Sequence, residues 1–180
     1  SAQRSAPLMI EQRVHFTDDR SHKHRVLDHL LADAGMRQSI VFTATKRDAE
    51  ALAIRLQGAG HAAAALHGDM NQRDRNRTLS DLRRGGVRTL VATDVAARGI
   101  DVVGIRHIIN YEVPDTPEDY VHRAGRTARG TALGLVSTIA TFLDKPIIKE
   151  IEHTLGAELP RCTAPGVEPY VERSPKQRSM

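Results

Sequence analysis

The chain alternates repeatedly between short apolar runs and stretches of helical periodicity, a pattern met by a parallel sheet with helices on its faces. Apolar runs at 39–44, 62–66 and 89–92 are bounded by turn-forming residues and read as strands buried on both sides. Residues 10–16 alternate in polarity and read as a further strand, as do 107–113 and 133–140. Helices are expected over 20–34, 46–57, 71–84 and 142–155, with a short one opened by Thr116-Pro117. In the first, Asp18 or Asp19 is the cap, Val26, Leu27, Leu30 and Leu31 are the buried stripe, and Gly35 is the stop. The fold class is therefore α/β, a mostly parallel central sheet flanked by helices.

With 180 residues, the chain can form one domain with a real core. Residues 1–9 carry no pattern and read as a linker remnant, 10–160 as the domain, and 161–180 as a proline-rich basic tail. No initiator Met precedes Ser1, which suggests a piece of a longer protein. No apolar run reaches membrane-spanning length, and no signal peptide opens the chain. The single Cys162 excludes an internal disulfide and fits a reducing cytoplasm. A net charge of +4 is compatible with nucleic acid, while 3% aromatic residues argue against a base-stacking platform and for backbone contacts. The nine histidines lack metal-ligand spacing, and His22, His24 and His29 read as an exposed helix face.

Ligands of open α/β sheets bind beyond the carboxyl ends of strands. Thr93, Asp94, Arg98, Gly99 and Asp101 follow the run at 89–92, in a loop of small residues and an Arg-Gly-Ile-Asp turn. Gly99 permits a backbone geometry that a Cβ forbids, and Asp101 is an acceptor suited to ribose hydroxyls. About twenty residues later, His122 leads arginines at 123, 126 and 129, a spacing that shares one helix face. Guanidinium forks match phosphate oxygens, although spaced arginines can also be a solvated face. At 67–75, Asp69 and Gln72 have capping-box spacing, and Gly68, Gln72 and Arg75 also suit a phosphate near a helix start. Thr45 reads equally as a helix cap or as a nucleic-acid contact.

Val91-Ala-Thr-Asp-Val-Ala-Ala-Arg-Gly-Ile-Asp101 resembles motif V of the DEAD-box RNA helicases, and His122-Arg-Ala-Gly-Arg-Thr-Ala-Arg129 resembles motif VI. His67-Gly-Asp69 with Gln72 and Arg75 is similar to a further pattern of that family, and the resemblance runs over 11–169. It implies the second, RecA-like domain, a three-layer sandwich. It places Asp101, with Gly99, on the ATP ribose, and Arg126 and Arg129 on the γ-phosphate as arginine fingers. Arg98, His122 and Arg123 would couple to the partner domain, with His122 counted among the catalytic set. Thr45, Lys46, Gly68, Gln72, Arg75 and Thr93 would hold the backbone of single-stranded or short duplex RNA. Glu158-Leu-Pro-Arg161 and the Pro165-to-Pro169 stretch are similar to the bacterial RhlE-type group. Ala124 and Ala128 depart from the usual larger aliphatic residue and Gly.

No Gly-x-x-x-x-Gly-Lys-Ser/Thr loop and no Asp-Glu-Ala-Asp occurs in the chain. ATP and Mg²⁺ would thus be held mainly by an N-terminal RecA-like domain, and this chain alone is expected to be inactive. The competing expectations are a superfamily 2 DNA helicase fragment and a non-catalytic RNA-binding scaffold.

Overall fold

The computed structural model describes residues 10–33, 35–100, 104–127, 133–164 and 166–168. Six strands, β1 (Ile10–Phe16), β2 (Ser39–Phe42), β3 (Ala63–Leu66), β4 (Thr89–Ala92), β5 (His107–Asn110) and β6 (Gly134–Ala140), form one sheet in the order β1-β6-β5-β2-β4-β3. Every pairing is parallel, so the sheet is wholly rather than mostly parallel. β2, β4, β5 and β6 are buried throughout, as strands covered on both faces must be.

Six helices cover it: α1 (Arg20–Leu31), α2 (Lys46–Gly58), α3 (Gln72–Arg84), α4 (Asp94–Ala97), α5 (Pro117–Ala124) and α6 (Lys145–Leu155). Val26, Leu27 and Leu30 of α1 and Leu52 and Leu56 of α2 pack on Val41, Val91, Ile109 and Ile139. Leu79 and Leu82 of α3, Tyr120 of α5, and Ile148 and Ile151 of α6 pack on the opposite face against Ile40, Phe42, Leu90, Ile108 and Val136. Among the described residues no helix is long and apolar enough to cross a membrane.

Several expected boundaries move. α1 ends at Leu31, before Gly35, because the chain turns at once (Met36 N–H to Asp33 O, 3.1 Å) to start β2. The expected loop after β4 is the short helix α4, capped by Thr93. The 142–155 helix begins as a 3-10 turn, Phe142–Asp144, with Pro146 in the first turn of α6. Asp19 does cap α1, its Oδ1 accepting from the His22 N–H (2.8 Å).

His22 corrects the exposed-face expectation. It is 1% exposed; its Nδ1 accepts from the Asp18 N–H (3.1 Å) and its Nε2 bonds to Val167 O (2.7 Å). That bond fastens residues 166–168 to α1. The start of the segment expected as tail is also tied down: Cys162 N–H donates to Val14 O (2.9 Å), beside the Val14 N–H to Pro160 O bond (2.9 Å) at the end of the expected domain.

Two buried histidines make the fold acid-sensitive. Burial lowers both His15 and His107 from 6.5 to about 4. Neither His15 ring nitrogen has a hydrogen-bond partner, and His107 bonds only through Nε2 to Ser137 Oγ (2.7 Å). Between pH 6.5 and 4 the unfolded chain takes up protons that the folded chain refuses, so stability falls as pH falls through that window. Each histidine is expected to remove about 2 kcal/mol by pH 5 relative to neutral pH. Urea unfolding at both pH values checks this, and His15→Leu should remove about half the difference; an unchanged difference would place the acid sensitivity elsewhere.

Candidate functional site

The carboxyl ends of β2, β4 and β3 lie side by side, with Phe42, Ala92 and Leu66 level with one another. The residues just beyond them, Thr45 and Lys46, Thr93, and Gly68, are therefore gathered along one edge. Thr45 caps α2, its Oγ1 accepting from the Asp48 N–H (3.1 Å), so the capping alternative is realised. Lys46 Nζ reaches Asp69 Oδ1 at 2.8 Å, across two exposed side chains. That hydrogen bond holds the Asp69 carboxyl below the usual range.

Asp69 is accordingly not the cap of α3. Asn71 is, its Oδ1 accepting from the Asp74 N–H (2.8 Å), so the expected capping box of Asp69 and Gln72 does not form. Gln72 instead donates to Asn76 Oδ1 (2.8 Å). The Gly68 turn is held by buried His67, whose Nε2 meets Glu50 Oε1 (2.8 Å) while its Nδ1 accepts from the Asp69 N–H (3.2 Å). Arg75 donates one N–H to Arg98 O (3.3 Å), leaving the rest of its fork free to take an anion.

The loop from Thr93 to Gly99 joins this edge to a second cluster. Thr93 Oγ1 accepts from the Ala96 N–H (3.4 Å), and Gly99 adopts φ +76°, a left-handed conformation that glycine takes freely. Across from the loop, α5 opens on Thr116, whose Oγ1 accepts from the Asp119 N–H (3.1 Å), with Pro117 in its first turn. It ends at Ala124, and this ending separates two arginines that the spacing placed on one face.

Arg123 turns inward and is 4% exposed. Its Nε and Nη2 donate to the two oxygens of Asp94 (2.7 and 2.8 Å), and its Nη1 to Asn110 Oδ1 (3.1 Å) and Glu112 O (2.9 Å). The guanidinium also lies 4.9 Å from the centre of the Phe42 ring. Four of its five N–H donors are taken up inside the domain, where they hold the loop after β4 against the end of β5. Asp94, Asn110 and Phe42 were not singled out for this cradle, and only the position of Asp94 just past a strand hinted at it.

Arg126 lies one turn beyond Arg123, outside the helix. It is half-buried and has no carboxylate partner among the described residues. With Arg98, His122, Asp94 and Asp119 it lines an open cleft of ≈ 220 Å³. Arg98 and His122 are exposed on its rim. Asp94 is matched by Arg123, so Arg98 and Arg126 face Asp119 alone and the cleft carries surplus positive charge that suits an anion. Among the described residues no group of three or more His, Cys, Asp or Glu could hold a metal ion. Asp101 and Arg129 lie outside the described residues.

The helicase conserved C-terminal domain family matches residues 22–131. The DEAD-box ATP-dependent RNA helicase CshA of Bacillus licheniformis is 39% identical over 150 residues, which are 83% of this chain and 31% of that protein. The chain thus spans about a third of the length of the curated relatives it matches. The crystal structure of the E. coli DEAD-box protein SrmB bound to regulator of ribonuclease activity A superimposes with a TM-score of 0.87 at 33% identity, covering 92% of this chain and 97% of that one. S. cerevisiae Dbp5 bound to RNA and ADP BeF3 superimposes at 0.81 with 31% identity, covering 88% of this chain and 42% of that one.

Proposed function

The chain belongs to the helicase conserved C-terminal domain family as the RecA-like domain of the DEAD-box RNA helicases, and we propose on that premise that it is one half of a two-domain, ATP-driven RNA-remodelling site. Arg126, joined by Arg129, acts on the γ-phosphate, and Asp101, beside Gly99, takes the ribose. Arg98 and His122, exposed on the cleft rim, meet the N-terminal RecA-like domain. Thr45, Lys46, Gly68, Gln72, Arg75 and Thr93 line the path of the RNA backbone. ATP sits mainly on the partner domain with Mg²⁺, which supplies charge neutralisation at the phosphates. The working place is the cytoplasm, and the Glu158-to-Arg161 wording supports a bacterial RhlE-type branch.

The observation that carries this reading is the divergence of Arg123 and Arg126. One arginine holds the loop after β4, and the next has no carboxylate partner among the described residues and stands at the mouth of a cleft. The same loop touches the RNA edge, because Arg98 O receives Arg75. Closure of the two domains on RNA therefore bears on the loop that shapes the phosphate cleft.

RNA binding tests the proposal. The two-domain protein, loaded with a non-hydrolysable ATP analogue, is expected to bind single-stranded RNA and to discriminate against DNA of the same sequence. Arg75→Ala should weaken binding roughly tenfold for any RNA sequence and lower the salt slope by about one. Equal binding to DNA would sink the RNA reading, and short single-stranded RNA bound equally well with and without nucleotide would favour a passive scaffold.

A further inference from the structure

The opposite, amino-terminal edge of the sheet carries a second concentration of positive charge. Arg88, Gln38 and Arg106 immediately precede β4, β2 and β5, which are neighbouring strands with Ser39 level with both Thr89 and His107. The three residues stand in one row, which puts the backbones of the two arginines about 10 Å apart across the sheet. Arg37 lies one residue behind Gln38. Gly85 and Gly104, both in the left-handed region (φ +83° and +104°), complete an open groove. Its volume is ≈ 660 Å³, against ≈ 220 Å³ for the cleft beside Arg126.

The floor of this groove is fixed. Ser39 N–H donates to Arg88 O (2.9 Å), Arg106 N–H to Gln38 O (3.1 Å), and Arg88 Nε to Arg37 O (3.3 Å). The Gln38 side-chain amide donates to Leu82 O at the end of α3. Arg37, Arg88 and Arg106 are exposed, and none forms an ion pair among the described residues. Arg84 pairs with Asp81 (3.0 Å), and cations at the last turn of α3 suit its dipole. Asp33, which accepts from the Gly35 N–H (2.9 Å), is the acidic group near this edge, and the three arginines outnumber it.

Three like charges on one frame repel one another, and among the described residues only Arg88 uses its side chain in a hydrogen bond within the fold, to Arg37 O. A field of one sign over an open polar groove attracts a polyanion, and the arginine fork matches its phosphates. A protein partner is favoured less, because interface centres are apolar and aromatic. Among the described residues, the groove lining has no aromatic or large aliphatic side chain.

We propose that this groove binds the phosphate backbone of RNA, as a second site for a duplex or strand flanking the segment held at the carboxyl edge. The choice of RNA over other polyanions rests on the function proposed above. Because all three arginines belong to one domain, this contact does not depend on domain closure and can retain the substrate while the cleft reopens.

The test is a titration of the isotopically labelled chain, followed by amide chemical shifts, with a short single-stranded RNA and with a longer RNA duplex. The duplex is expected to shift the Gly85, Gly86, Gly104 and Arg106 amides in addition to those of Arg75 and Thr93. Arg88→Glu combined with Arg106→Glu should weaken duplex binding by about tenfold or more and lower its salt slope by about two, with the short RNA unaffected. Shifts confined to the carboxyl edge overturn the second site and leave the proposed function standing. Absence of shifts at the Gly85, Gly86, Gly104 and Arg106 amides overturns the second site whatever the carboxyl edge does, and leaves the proposed function to the test on the nucleotide-loaded two-domain protein. Equal response of the groove amides to poly-glutamate at the same salt overturns RNA in favour of an acidic protein segment.

Discussion

Arg126→Ala in the two-domain protein is expected to lower RNA-stimulated ATP turnover by about 10³- to 10⁵-fold, the range set by removing an arginine from a transferring phosphoryl group. The effect should fall on kcat, with nucleotide affinity largely retained, because the loss concerns charge that develops in the transition state. The structure supplies the pre-organisation that such a role needs. Arg126 N–H donates to Arg123 O (3.1 Å), and the next residue, Thr127, is buried with its Oγ1 on Ile105 O (2.6 Å), so the backbone on both sides of Arg126 is gripped. Arg126→Lys should recover little, since an ammonium cannot reproduce the planar fork. As Arg126 makes no ion pair within the described domain, its removal should leave the urea midpoint almost unchanged. Turnover within about threefold of the parent protein would make Arg126 a solvated charge and remove this domain from the chemistry.

The elements that could be read from the sequence are those decided locally. Four-residue apolar runs bounded by turn signals are too short for buried helices and fit strands covered on both faces, and Asp19 and Thr116 mark helix starts because each caps an amide three residues on. What escaped was decided by partners distant in the chain. Asp69 stands outside α3, which starts behind Asn71, and its carboxylate meets Lys46 arriving from the end of β2. His22 is buried because Val167 comes back over α1. The arginine block shows both cases at once. Its spacing is helical, but α5 ends at Ala124, so a periodicity that placed Arg123 and Arg126 on one face holds only for the first. Whether an arginine faces inward depends on Asp94, Asn110 and Glu112, supplied by two other strand ends, and no spacing rule reaches that far.

Arg123→Ala is expected to destabilise the domain by about 3–5 kcal/mol, the cost of removing one partner from a buried ion pair. The loss is a large fraction of the roughly 5–15 kcal/mol that holds a typical domain together. Four hydrogen bonds disappear, and fully buried Asn110 loses the donor to its Oδ1. Asp94 keeps a side chain 37% exposed, so water can recover part of its solvation, and Asp94→Asn should cost less than Arg123→Ala. Arg123→Met preserves bulk against Phe42 but gives Asn110 and Glu112 O no donor. Pairing it with Asp94→Leu is therefore expected to fall short of the parent, unlike an ion pair that can be exchanged for apolar packing at no loss. Urea midpoints of the single and double variants, with Arg126→Ala as the exposed-cleft control, measure each step. If Arg123→Ala unfolded at the same urea concentration as Arg126→Ala, the cradle would be dispensable. The division of the arginine block into one residue that builds the cleft and one that serves it would then have no basis.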